Sequence, residues 1–408
     1  MHEYELEIQS LVYGGSGLSH LPDGQAVFIP FVLPGEKVLA QVVWRNKHYA
    51  NGKLLKVIKP SPDRISPRCT HFGTCGGCNY QHISYTRQLE IKKQILIEQL
   101  QRLGKIEHPC TPEVIACPQP WNYRNSMQFH LAKSGELALT RADLDGLQEI
   151  KECYLPMEAI NQLRPQLDLE PIPEIKRIEL RQGVAQEILL IIHSSSNELP
   201  EFSTDIPISV VHKSRSGSVV LAGNNYLSMQ VKDKIFRLSA GSFFQINNAV
   251  TEALVQLLLD KLNFDSSTIL MDIYAGVGLF SAFFASHVAQ IIAVENVPEA
   301  CNDFIFNLKA YNNITLYQGK TEEVLPLLDI KPDIAIIDPP RAGIHRKALD
   351  ALIHLAPAQI AYVSCDPATL ARDAGRLLHA EYILTESIFC DMFPQTYHIE
   401  SLNIFIRK

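Results

Sequence analysis

From about residue 250 onward, short apolar runs alternate with stretches of helical character. This alternation constrains the fold of the 408-residue chain more than any other feature. The runs are Ile269–Ile273, Gln290–Val294, Ile334–Ile337 and Gln359–Val363. Strands that alternate with helices pair in parallel, because parallel neighbours need crossover connections, and the helices then cover both faces of the sheet. Residues 249–408 are therefore expected to form one α/β domain.

An open sheet of this kind binds ligands beyond the carboxyl ends of its strands, and the chemically distinctive segments fall there. Asp272-Ile273-Tyr274-Ala275-Gly276-Val277-Gly278-Leu279-Phe280 follows the first run and opens a helical stretch. Glycines at such a turn let a ligand approach the backbone, and an acid ending the next strand can hold ribose hydroxyls. Glu295 stands in that place, 23 residues beyond Asp272. Ser281 occupies the position of the third glycine of a dinucleotide fingerprint, so an adenosine-containing ligand other than NAD is expected. A glycine turn that only packs helix on strand fits the same spacing.

Ile336-Ile337-Asp338-Pro339-Pro340-Arg341-Ala342-Gly343 ends another strand, where two prolines fix the backbone so that Asp338 points into the cleft. Val363-Ser364-Cys365-Asp366-Pro367 does the same, with Cys365 27 residues beyond Asp338. Free cysteine is commonly apolar filler. Cys365 instead leaves its strand directly into a proline turn on the edge that Asp338 shares, which makes its thiolate a candidate nucleophile. Glu400 lies in Asp391-Met392-Phe393-Pro394-Gln395-Thr396-Tyr397-His398-Ile399-Glu400. It supplies a carboxylate to the same cleft if this segment folds back on the sheet, although spacing alone favours a surface acid. Ala240-Gly241-Ser242-Phe243-Phe244-Gln245-Ile246-Asn247 suits a stacking and hydrogen-bonding lip, and equally an ordinary domain entrance.

The N-terminal quarter differs in kind. Tyr4–Ile8, Ala26–Phe31, Lys37–Trp44 and Gly52–Ile58 are short strand-like runs, separated by Gly14-Gly15, Pro22-Asp23-Gly24 and Pro34-Gly35. That pattern predicts a compact barrel. Residues 1–105 carry 13 Lys+Arg against 8 Asp+Glu, a formal +5, whereas the whole chain stands at −7. A polyanion would accordingly be met by this part. Leu89, Leu96, Leu100 and Leu103 recur at helical spacing in Tyr85–Leu103, a stretch free of Gly and Pro. Cys69, Cys75 and Cys78, with Gly76-Gly77 between, have the look of metal ligands. A tetrahedral zinc or an iron–sulfur cluster needs a fourth thiolate, for which Cys153, Cys110 and Cys117 are candidates. No run of about 18 apolar residues appears and the N-terminus is acidic, so a membrane span or secretory signal is not expected and a cytoplasmic location is.

Taken together and in this order, the segments resemble the RNA 5-methyluridine methyltransferases, the bacterial 23S rRNA and tRNA (uracil-5-)-methyltransferase family. The resemblance covers nearly the whole chain. It implies a TRAM-like (OB-like) β-barrel for RNA binding at 1–60 and an iron–sulfur segment with a helix at 61–105. A central α+β RNA-binding domain at 106–248 and a Rossmann-like, S-adenosylmethionine-dependent catalytic domain at 249–408 follow. Cys69, Cys75, Cys78 and Cys153 match the ligands of a [4Fe–4S] cluster. Gln245, Tyr274, Glu295 and Asp338 match positions that contact S-adenosylmethionine; Cys365 matches the nucleophile and Glu400 the general base. The implied substrate is a uridine in RNA, 23S rRNA ahead of the T-loop of tRNA, with no obligate protein partner.

The chain departs from the family pattern at four places. Ala275 replaces a small Cys or Ser, and Asp366 stands where Asn is usual, which adds negative charge beside the thiol. Tyr397 replaces a small residue, and Thr140-Arg141-Ala142-Asp143 is degenerate where RNA contacts are expected. Two rival readings follow. An adenine or guanine amino-group methyltransferase leaves Cys365 and Glu400 unexplained, and a catalytically weak RNA-binding or folding factor would keep the scaffold alone.

Overall fold

Period-two alternation shapes the first sixty residues: in Ala26–Pro30, Val27 and Ile29 are fully buried while their neighbours reach the surface. The structure, a computed structural model, describes residues 2–107, 109–201 and 203–408. The chain divides into two compact units, the first made of residues up to Glu98 together with Leu139–Cys153 and Phe393–His398, the second of the remainder.

In the first unit, β1 (Glu3–Glu7), β2 (Ser10–Leu11), β3 (Ser16–His20), β4 (Ala26–Pro30), β5 (Lys37–Arg45) and β6 (Tyr49–Lys59) form one sheet, in the order β1-β5-β6-β4-β3-β2. Leu6, Ile8, Val27, Ile29, Val32 and Val38 supply its core. Two strands more than the four apolar runs are present, because β2 and β3 are short and rich in Gly and Ser. The buried Glu36 accepts from Leu33 N and Ser61 N and pairs with Arg64, which ties the sheet to the chain leaving it. Helix α1 (Tyr85–Arg102) follows the cysteine loop where helical spacing places it.

In the second unit, β7 (Glu113–Ile115) precedes β8 (Ser126–Leu131) and β9 (Leu137–Thr140); β10 (Leu147–Glu149) lies in the stretch that belongs to the first unit. After α2 (Glu158–Leu163) come β11 (Ile175–Gln182), β12 (Ile188–Ser194), β13 (Ser209–Ser214) and β14 (Gly217–Ala222). The central sheet runs β9-β8-β11-β12-β13-β14. A separate hairpin, β15 (Tyr226–Val231) with β16 (Lys234–Ser239), leads to α3 (Asn248–Lys261).

The remaining elements are β17 (Ile269–Ile273), α4 (Leu279–Phe284), β18 (Gln290–Glu295), α5 (Pro298–Asn307), β19 (Ile314–Gln318), α6 (Thr321–Val324), β20 (Ile334–Ile337), α7 (Arg346–Leu355), β21 (Gln359–Ser364), α8 (Pro367–His379), β22 (Tyr382–Cys390) and β23 (Glu400–Arg407). Their sheet has the order β19-β18-β17-β20-β21-β23-β22-β7. The four apolar runs are all there, and from β19 to β21 every pairing is parallel. Beyond β21 the sheet departs from the all-parallel expectation, since β23 is antiparallel to both β21 and β22. No helix intervenes between β22 and β23, and a connection of nine residues allows only an antiparallel return. The edge strand β7 pairs with β22, so residues 113–115 serve the catalytic sheet although they lie within the segment read as a central domain.

Candidate active site

Strand order reverses about β17, which has β18 on one side and β20 on the other. Ligands gather at such a switch point, outside the carboxyl ends. Tyr274 follows β17, Glu295 ends β18, Asp338 follows β20 and Cys365 follows β21. Glu400 opens the antiparallel β23, whose start lies at the carboxyl edge of β21 through the pair Ser364↔Ser401. Antiparallel insertion thus brings Glu400 to the same edge as the four preceding groups. It is 2% exposed, and the surface-acid alternative does not hold.

The glycine turn is built around charge. Asp272, buried, accepts from the Ser281 amide at 3.0 Å and hydroxyl at 2.6 Å, so the residue in place of a third glycine anchors the first turn of α4. Tyr274 has a φ of +65°, a rare conformation for a bulky side chain. Its amide and that of Ala275 both donate to Val294 O at 3.0 Å, which holds the turn on the neighbouring strand. Glu295 closes it from the other side: Oε2 accepts from Gly276 N at 2.8 Å, and Oε1 from Asn296 N and Val297 N at 2.7 Å each. Gly278, with a φ of +88°, has no room for a side chain, because a Cβ would lie 2.6 Å from Leu308 Cδ1. Ala275 is buried among these contacts without disturbing them.

Asp338 receives a hydrogen bond from Gln245 Nε2 at 3.0 Å. Burial, then the like charge of Asp272, raises its carboxyl to about 7 against that hydrogen bond. Burial likewise holds Glu400 well above the usual carboxylate range, with Asp338 adding to the effect and the cation Arg341 opposing it. The Cys365 thiol is pushed up to about 12 by burial first, then by Glu400 and Asp338, again against Arg341. These groups therefore sense one another in one low-dielectric place and compete for negative charge. Asp366 is the last and smallest of the influences on the thiol. Its Oδ1 accepts from Ala368 N at 3.0 Å and Thr369 N at 2.9 Å, the N-cap of α8. Sequence reading gave Arg341 no separate role; its place in Asp-Pro-Pro-Arg, one turn past a strand end, was the signal.

The two phenylalanines of the lip separate. Phe243 is 68% exposed, whereas Phe244 is 8% exposed and packs on Phe236, so only Phe243 is free to stack on a ligand. Gln245 is buried, and Asn247 caps α3 by accepting from Val250 N.

In the first unit Cys78 feels the charge of each of Cys69, Cys75 and Cys153. Gly77 N donates to Cys75 Sγ at 3.3 Å, and Gln81 Oε1 accepts from Cys69 N at 3.0 Å. The segment bearing Cys153 is stitched to the loop by Thr70 on Glu152 and by Lys151 N on His71 Nε2 at 3.1 Å. The degenerate Thr140–Asp143 segment takes part: Gly76 N donates to Thr140 O and Ala142 N to Thr74 O, while Arg141 pairs with Asp143. Among the described residues no three His, Cys, Asp or Glu side chains are arranged to hold a single metal ion. Cys110 and Cys117, the other candidates for a fourth ligand, belong to the second unit. Tyr397 stacks on Tyr13 and His398 inside the first unit. Among the described residues no helix is long and apolar enough to cross a membrane.

The profile of the tRNA (Uracil-5-)-methyltransferase family matches residues 192–408. An RNA methyltransferase of Halalkalibacterium halodurans, itself uncharacterized, is 32% identical over 99% of this chain and 97% of its own length. An uncharacterized RNA methyltransferase of Listeria monocytogenes is 32% identical, covering 98% of this chain and 96% of the relative. Among solved structures, the tRNA (uracil-54, C5)-methyltransferase of Pyrococcus abyssi, in complex with S-adenosyl-L-homocysteine, superposes with a TM-score of 0.77 over 99% of this chain and all of that one, at 23% identity, a likeness of fold. Fold and relatives together define an RNA methyltransferase with a Rossmann-like domain and an additional β domain. The chain belongs to the tRNA (uracil-5-)-methyltransferase family.

Proposed function

We propose that the protein methylates C5 of a uridine in RNA, 23S rRNA in preference to tRNA, through a covalent bond between Cys365 and C6 of the base. The supporting observation is the convergence of Cys365, Glu400 and Asp338 on one strand edge, through the register Ser364↔Ser401 and the mutual electrostatic influence of the three. S-adenosylmethionine, the methyl donor, supplies when bound an electrophilic methyl group on a sulfonium. Gln245, Tyr274, Glu295 and Asp338 would hold it.

C5 of uracil is too weak a carbon nucleophile to take a methyl group unaided. Cys365 Sγ adds to C6 and the C5–C6 pair of electrons becomes enolate-like; C5 then takes the methyl group from sulfur. Glu400 removes the C5 proton, the C5=C6 bond re-forms and the thiolate leaves. A thiol held near 12 is protonated at neutral pH, so its proton must pass to a neighbour as substrate binds. Arg341 and the donor's positive charge both favour that loss. A base within a stack is out of reach, which requires extrusion, and exposed Phe243 offers it a stacking surface.

In this reading Cys69, Cys75, Cys78 and Cys153 hold a [4Fe–4S] cluster that orders the chain around it. The N-terminal sheet serves as the RNA-binding TRAM-like module. Trp44 packs at 5.2 Å on Tyr49 on its surface, and β6 also carries the exposed Lys53, Lys56 and Lys59, a combination suited to stacking and backbone contact. Cys365→Ala tests the central claim. Methyl transfer and trapping on 5-fluorouridine RNA should vanish while RNA binding persists, and unchanged turnover would eliminate the nucleophile. Mapping 5-methyluridine in total RNA with and without the protein separates ribosomal from transfer RNA.

A further inference from the structure

Just ahead of Phe243 and Gln245 the chain makes a turn, Ser239–Ser242, gripped by charged side chains from two directions within the second unit. From the central sheet, Arg181 on β11 donates through Nη1 to Ser242 O at 2.8 Å and Ser239 O at 3.2 Å, and through Nη2 to Ala240 O at 3.3 Å. Its Nε is fixed on Glu179 at 2.6 Å, and Glu179 is itself held by Ser126, Gln128 and His193 on the flanking strands. From the methyltransferase sheet, Asp303 on α5 accepts from Ser239 N at 2.7 Å, Ser239 Oγ at 2.7 Å and Ser242 Oγ at 2.6 Å. Asp303, Ser239 and Ser242 are all buried. The helix bearing Asp303 begins three residues after Glu295.

A guanidinium only 11% exposed that serves three carbonyls, and a buried carboxylate that takes two hydroxyls and an amide beside Arg237, exceed what a connecting turn requires. Each hydrogen bond to a charged group contributes more than a neutral one, and the two sets fix the turn's position and its twist. One residue beyond the turn stands Phe243, an aromatic ring left 68% exposed; two further on, Gln245 reaches Asp338 at 3.0 Å. We infer that Arg181 and Asp303 form a two-sided clamp whose function is to aim Phe243 at the extruded uridine and Gln245 at Asp338, so that both are positioning residues for methyl transfer. The clamp rests on the reading of the cleft given above. It joins the sheet that carries Glu179 to the helix that follows Glu295, so the lip is set from both sides before any ligand arrives.

A double-mutant cycle tests the aim. Phe243→Ala should lower kcat/KM for RNA by about tenfold, the effect of one lost base–aromatic stack. Arg181→Met should cost at least as much, chiefly in KM for RNA. Together they should cost about what Arg181→Met costs alone, because a ring no longer aimed has little left to lose. Multiplicative losses in an enzyme that still turns over would overturn the clamp while leaving the nucleophile reading untouched. Arg181→Lys keeps the charge beside Glu179 but cannot span three carbonyls, and full recovery in that variant would also overturn it. A second measurement needs neither RNA nor methyl donor. Amide exchange in the 239–247 peptide should rise in Arg181→Met, and in the milder Ser242→Ala should Arg181→Met fail to fold, with the β17 peptide unchanged. Equal exchange in wild type and variants refutes the clamp even where wild-type methyl transfer is absent, the outcome that would refute the cleft reading instead.

Discussion

Glu400→Gln separates the two halves of the proposed chemistry. The carboxyl is 2% exposed at the start of β23, so an isosteric amide keeps the packing and removes the proton acceptor. Consider first the thiol. Held near 12, it is protonated in nearly every molecule at pH 7.5 before substrate arrives. After burial, Glu400 is the leading influence that disfavours its ionisation. Removing that carboxyl eases thiolate formation, and addition to C6 proceeds at least as fast as in wild type. Consider next the proton. Loss of a positioned general base slows its transfer by about 10²–10⁴-fold, or about 3–5 kcal/mol of barrier. Formation intact and resolution slowed by that factor means that the methylated adduct accumulates. With tritiated donor and end-labelled RNA, Glu400→Gln should transfer close to one methyl group per enzyme and stop. A protein–RNA band should then survive a denaturing gel, where wild type shows a trace. Turnover within about threefold of wild type, or the lack of any adduct from a folded variant that binds RNA, would refute the assignment of the base.

Three other outcomes follow from particular contacts. Asp366→Asn keeps a cap of equal quality on Ala368 N and Thr369 N, so unfolding should change by less than about 0.5 kcal/mol. With one negative charge removed, alkylation of Cys365 at fixed pH should quicken, and a slower rate would contradict the electrostatics. Cys75→Ser, in protein purified without oxygen, should remove iron and visible absorbance together; stoichiometric zinc in the wild type would overturn the cluster. Glu179, held down to about 2 by His193 and Arg181 against the cost of burial, binds a proton less readily folded than unfolded. Its contribution, about 3 kcal/mol, is complete above pH 4.5 and lost as pH falls toward 2. Glu179→Gln should therefore flatten the acid limb of stability in that window, and an unchanged limb would show that Glu179 does not carry it.

Four strands of the methyltransferase sheet, β17, β18, β20 and β21, were readable because they are buried on both faces, whereas the largely exposed edge strand β19 left no such run. The antiparallel return was not, since nothing in the composition of β22 and β23 distinguishes direction. The functional strand ends were legible for the same reason as the strands: Tyr274, Glu295 and Asp338 each sit one step beyond an apolar run, and Cys365 two. Glu400 needed the fold, because its place depends on a register between strands. Phe243 and Phe244 look alike in sequence, and only packing on Phe236 tells the buried ring from the free one. Arg181 and Asp303 left no trace at all; buried ionic contacts between distant segments have no local periodicity.

Between β22 and β23 the chain leaves the second unit for six residues, and those residues are tied down in the first. Gln395 O accepts from Asn79 N and Tyr80 N at 3.0 Å each, directly after Cys78, while its side chain meets Gln88 and Phe393 O meets Lys92 Nζ. Five residues of chain, at most about 18 Å of tether, separate this mooring from Glu400. If Glu400 is the base proposed above, a lesion at Gln88 or Lys92 would loosen the chain just ahead of it, and a survey that equates lost turnover with membership of the cleft would draw its boundary in the wrong place.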